Sequence, residues 1–159
     1  MSDAAAENER QHEESVSFYR QSQEILEQLA RRNPDVLDYA ADLAGVYLNL
    51  GVQLQQLDQL EEALASIEES ARLLEDLARQ RETVPQHRAD LGLAQREAGK
   101  VLAALGRTAE ARTRLEESRA TLSRLVNEDP SNENYTAALA LTMDAQAALD
   151  ASPEPTPAE

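Results

Sequence analysis

The chain has 159 residues, 42% of them apolar, which suffices for a single folded unit with one core. Aromatic residues make up only 3%, whereas 27 alanines and 23 leucines supply almost a third of the chain, a diet that excludes β-sandwiches and barrels and points to helices throughout. Thirty acidic residues against 15 basic ones give a formal charge of −15, which repels phosphate backbones and anionic lipid and argues against nucleic acid and membranes as partners.

No cysteine is present, so a disulfide framework, a thiolate metal site and a cysteine nucleophile are excluded. No run approaches the ~18 apolar residues of a membrane span, and the first residues lack the basic start and apolar stretch of a secretory signal. A soluble cytoplasmic protein is the expectation.

In chain order, residues 1–12 read as a flexible acidic leader. A first helix follows over about 13–31. Asn33-Pro34 places an N-cap acceptor before a proline, which predicts a second helix over about 34–57. From Asp58 to Thr83 there is neither glycine nor proline, and Asp58-Gln-Leu-Glu61 has the form of a capping box, so a third helix is expected over about 60–81. Pro85 opens a fourth, over about 85–105. Gly106 then supplies a left-handed terminator and Thr108 a capping hydroxyl for a fifth over about 108–127. Asp129-Pro130 repeats the Asn33-Pro34 signal and predicts a sixth over about 131–149. Residues 151–159, Ala-Ser-Pro-Glu-Pro-Thr-Pro-Ala-Glu, bury nothing and read as a disordered tail.

The chain superimposes on itself when shifted by 48 residues. Asp42-Leu43 falls on Asp90-Leu91, Gly51 on Gly99, Leu54 on Leu102, Glu62-Ala63 on Glu110-Ala111, and Glu68-Glu69-Ser70 on Glu116-Glu117-Ser118. A double shift brings Asn33-Pro34 onto Asp129-Pro130 and Tyr39 onto Tyr135, with His87 between. Backwards, Tyr19, Ser22, Leu26 and Leu29 precede Ile67, Ser70, Leu74 and Leu77 by the same interval. Within each copy Ala63, Ile67, Ser70, Leu74 and Leu77 step by four and three, a single helix face meant for the core. The small residue at the Ser22, Ser70 and Ser118 level lets neighbouring helices come close.

Few candidates for chemistry survive. Glu9-Arg-Gln-His12 has the spacing of a di-iron ligand pair but lacks the second copy that such a site needs, since Val84 precedes His87 by three. His87 stands at the repeat position of two tyrosines, which gives it a packing role. The five glycines follow the repeat rather than forming a phosphate loop. No catalytic, metal or cofactor site is therefore assigned.

The run Tyr47-Leu-Asn-Leu50-Gly51-Val-Gln-Leu54, followed by Ala63 and Ile67, resembles the tetratricopeptide repeat, in which an aromatic residue, Leu-Gly and an alanine recur at fixed offsets of a helix-turn-helix unit. Ala98-Gly99, Leu102, Ala111 and Leu115 match it again, with Gln95 in place of the aromatic. The 48-residue period marks a long-helix variant over residues 13–150. The resemblance implies an all-α, right-handed αα-hairpin solenoid of about six antiparallel helices, starting on a second-type helix and ending on a first-type one. It also implies a protein-binding scaffold whose concave wall comes from the first helix of each unit. By that register the wall includes Gly45, Leu48, Val52 and Gln55, then Leu93, Arg96, Lys100 and Ala103, then Leu141 and Asp144, with Asn49 close by. Leu48, Asn49, Val52, Gln55, Leu93, Arg96, Lys100 and Ala103 are the expected partner-binding residues.

Charge sharpens the expected ligand. Residues 1–80 hold 6 basic and 17 acidic residues, net −11, whereas residues 81–124 hold 9 and 6, net +3. Arg96 and Lys100, one turn apart, either orient an acidic peptide or simply pair with Glu97 and other neighbouring acids. Two functions remain open. One is a non-enzymatic scaffold binding an acidic peptide or helix of a partner in the concave groove, without cofactor. The other is a self-assembling structural protein forming head-to-tail homo-oligomers through its unmatched end helices.

Overall fold

A computed structural model describes residues 3–151, which form six helices joined by short turns: α1 Asp3–Arg32, α2 Leu37–Gln56, α3 Leu60–Gln80, α4 Pro85–Ala104, α5 Thr108–Glu128 and α6 Glu133–Ala151. There is no strand among the described residues. Consecutive helices pack on one another along the whole chain, as short helix–helix connections require, and the fold is an αα-hairpin solenoid. Next-neighbour contacts exist between α2 and α4 and between α4 and α6, but no comparable backbone contacts join α1, α3 and α5. The first helices therefore form a tight inner row and the second helices a splayed outer row. Long arginines bridge the outer gaps, Arg20 to Glu62 at 2.8 Å and Arg114 to Glu68 at 3.2 Å.

The 48-residue period is a packing period. Ser70 Oγ donates to the Ala44 carbonyl at 2.7 Å, and Ser118 Oγ donates to the Gly92 carbonyl at 2.6 Å, each 26 residues back and each fully buried. A larger residue at this level would push the paired helices apart. At the next level a Cβ added to Gly99 would lie 2.7 Å from Leu115 Cγ, and one added to Gly51 would collide with Ile67, so glycine sets both helix approaches. Leu54, Leu74 and Leu77 in one copy, and Leu102, Leu122 and Leu125 in the next, lose almost all exposure. Each such burial is worth about 2 kcal/mol. Ser22 carries the same residue type but meets no first helix among the described residues. Its Oγ turns back to the Phe18 carbonyl of its own helix at 3.1 Å.

Helix ends depart from several expectations. Residues 3–12 of the expected flexible leader form the first part of α1, where three alanines favour helix, Arg10 pairs with Glu7 three residues away, and His12 Nδ1 lies 2.7 Å from Gln53 Oε1 of α2, while residues 1–2 lie outside the described part. Asn33 and Asp129 are not N-caps. They open four-residue turns closed by Val36 N–H to the Asn33 carbonyl and Asn132 N–H to the Asp129 carbonyl, with proline second in the turn, the place its fixed φ suits best. Arg81 to Val84 makes the same turn one repeat away. The cap of α6 is Asn132, whose Oδ1 accepts from the N–H groups of Asn134 and Tyr135.

The capping box at Asp58 does not form, because Asp58 terminates α2 in the left-handed region at φ 58°. Gly106, 48 residues on, does the same at φ 74°. Both close with the following N–H reaching back five residues, Gln59 to the Leu54 carbonyl and Arg107 to the Leu102 carbonyl. Thr108 is the first residue of α5 and makes no side-chain cap. Of the expected tail, Ala151 belongs to α6 and residues 152–159 lie outside the described part.

Candidate protein-binding groove

The inner row encloses a groove of about 720 Å³ between α2, α4 and α6, close to the carboxyl ends of all three. Gln55 comes from α2; Arg96, Gly99, Lys100 and Ala103 come from α4; Leu141, Ala145, Ala148 and Leu149 come from α6. Leu115 of α5 forms part of the floor where Gly99 leaves room, and Gly106 and Thr108 close one end. Small side chains on α4 and α6 keep the space open. Leu141 remains more than half exposed beside it, an apolar contact available to a ligand.

This surface contains Gln55, Arg96, Lys100 and Ala103 of the eight expected residues, together with Leu141. The other four sit elsewhere. Leu48 is buried, and with Asn49 and Gly45 it lines a separate hollow of about 160 Å³ that also holds Asp90. Burial pushes the Asp90 carboxyl above the usual range, against a hydrogen bond from Gln86 that acts the other way. Val52 and Leu93 are half-buried and pack against the core. The carried-over wall is thus divided, because the period of a helix turns successive inner positions partly toward the neighbouring helix. The α6 contributors Ala145, Ala148 and Leu149 were not expected, although Leu141 plus four, seven and eight residues points at them.

The cationic edge is tied to a buried acid. Glu97, with 8% of its side chain exposed, accepts from Arg96 Nη2 at 3.0 Å and from Lys100 Nζ at 2.7 Å. Arg96 Nε reaches the same Oε1 at 3.2 Å. Arg96 is itself only 11% exposed, whereas Lys100 keeps 46% of its side chain accessible. Pairing with Glu97, one of the two readings of these residues, is what the structure contains. The pairing does not cancel the edge: two cations share one carboxylate, and Lys100 is the cation a ligand can reach.

The remaining polar centres are structural in geometry. Tyr47 donates to Glu27 Oε1 at 2.5 Å, and Gln23 donates to the same oxygen at 2.9 Å. The bond from Tyr47 is the main reason the Glu27 carboxyl falls below its ordinary value, while burial first and this bond second push the Tyr47 phenol up to about 12. His87 is buried at the start of α4 with Nε2 unpartnered in the described residues. No group of three or more His, Asp or Glu side chains among the described residues is placed to hold a metal ion, and no described helix is long and apolar enough to cross a membrane. Comparison with models of known protein families and with curated proteins finds no match to this chain.

Proposed function

We propose that the chain is a non-enzymatic, cytoplasmic scaffold of the tetratricopeptide type, which holds an acidic amphipathic segment of a protein in the groove between α2, α4 and α6. The observation that carries this reading is the groove itself. It combines an apolar floor with one accessible cation, Lys100, and it lies on the inner row that the helix order creates. Its volume suits a short run of side chains rather than a whole domain. An apolar anchor on Leu141 and Leu149 supplies the desolvated contact, and an acid opposite Lys100 sets direction along the groove. The overall charge of −15 keeps polyanions away and leaves protein as the partner class.

A displayed library of random peptides, selected on the full chain, tests this. Enriched sequences should pair an acidic residue with a large apolar one a turn or so away, and Lys100→Glu or Leu141→Asp should each abolish capture. Enrichment of basic peptides, or capture indifferent to both substitutions, sinks the assignment of the groove.

A further inference from the structure

We infer that one occupant of this groove is helix α1 of a second copy of the same chain. The inference rests on the reading of the groove given above and names its partner. α1 is a second-type helix, and two large apolar residues stand on its outward side. Phe18 is 64% exposed and Ile25 is 60% exposed, the two most exposed large apolar residues described. Seven residues apart, they stand two turns apart on one face, the spacing by which an amphipathic helix anchors in a groove. Glu14 shares a shallow hollow with Phe18, one turn nearer the amino end, so an acid precedes the apolar pair on that face.

Charge selects the acceptor. α1 holds seven acidic and four basic residues, net −3, and the groove edge holds Arg96 and Lys100 against Glu97, net +1. The competing acceptor is the outer face of α6, where a next repeat would stack. α6 as a whole has three acids and no base, and of these Asp150 pairs with Arg112 of α5 at 3.0 Å. Stacking α1 there would oppose two acidic helices. The groove instead offers Leu141 and Leu149 to the apolar pair and Lys100 to Glu14. The opposite face of α1 stays on its own chain through Val16 and Tyr19, so docking requires no unfolding. The contact is heterologous: two copies that reciprocate close into a dimer, and copies that do not extend into a chain.

Sedimentation velocity of the full chain over a dilution series at low salt decides the matter. The mass should rise above 17.5 kDa with concentration and fall back as salt is added. Phe18→Ser with Ile25→Ser, exposed sites that leave helicity intact, should return it to monomer. Lys100→Glu should weaken association about tenfold or more, and Glu14→Lys added to Lys100→Glu should recover most of that loss. A monomer at every concentration overturns the inference while the peptide selection still judges the groove separately. Association lost in Met143→Ser but unchanged in Leu141→Asp overturns it as well, because the contact would then lie on the end of α6.

Discussion

Glu97 lies where stability and ligand binding pull in opposite directions, and Glu97→Gln separates them. In the native chain one carboxylate oxygen accepts from Arg96 and the other from Lys100, in a site where Glu97 and Arg96 are nearly inaccessible. The amide keeps one acceptor, so Arg96 retains a bond, but its NH2 group then faces the Lys100 ammonium. One charge-assisted bond is lost, worth about 1.5–3 kcal/mol when buried, and the half-exposed lysine recovers part of it by turning to water. A net loss of about 2 kcal/mol is expected, a fall in Tm of about 4–8 °C for a chain of this size. At the same time the groove edge goes from +1 to +2. At a separation of ~8 Å and an effective dielectric of ~20, with salt screening, the added charge contributes about 1 kcal/mol to an acidic ligand, close to fivefold in affinity. Urea and thermal denaturation followed by circular dichroism read the first effect, and anisotropy of a labelled peptide from the selection reads the second at two salt concentrations. A variant that loses stability and also binds the acidic peptide more weakly would refute the reasoning, since Glu97 would then be holding Lys100 in place for the ligand rather than competing with it.

Three further outcomes follow from the packing. Asp58→Gly should raise stability by about 0.5–1 kcal/mol, and Gly106→Ala should lower it by a similar amount or more, because both positions need a left-handed backbone and only one has glycine; urea midpoints of the two variants measure the contrast. Ser118→Ala removes a buried hydroxyl that serves the Gly92 carbonyl and lies 3.1 Å from Thr142 Oγ1, so it should cost about 1–3 kcal/mol in the same assay, whereas Ser22→Ala should cost little. Tyr47→Phe should abolish a component of the tyrosinate absorbance titrating near 12 and lower stability at neutral pH by about 1 kcal/mol. The sign is that of a raised folded-state pKa: this stabilisation is complete below the phenol's unfolded value of 10.0 and is lost as pH rises through about 12. A titration curve identical to that of the native chain would remove the Tyr47–Glu27 bond from the account.

Periodicity in the chain was enough to determine that it is helical, roughly where the middle of each helix lies, and which residues of the repeated helices face the core. Steps of three and four at Ala63, Ile67, Ser70, Leu74 and Leu77 allow only a helix face, and the 48-residue shift turns one helix pair into the next. What the chain alone left open is whatever depends on two elements at once. Asn-Pro and Asp-Pro suit a helix cap and a turn equally well, and the choice fell to the turn when the preceding helix carried on to Arg32 and Glu128. Asp58 reads as a cap acceptor until α2 needs a left-handed terminator at that point. Residues 3–12 of the leader joined α1, where His12 meets Gln53 of α2. The groove shows the same limit: α4 could be read residue by residue, but only the placement of α6 and α5 beside it decided that Lys100 faces an apolar floor and that Leu48 does not. Helical spacing is a property of one segment, whereas a concave surface exists only once three helices have been set at their distances by the glycines and serines between them.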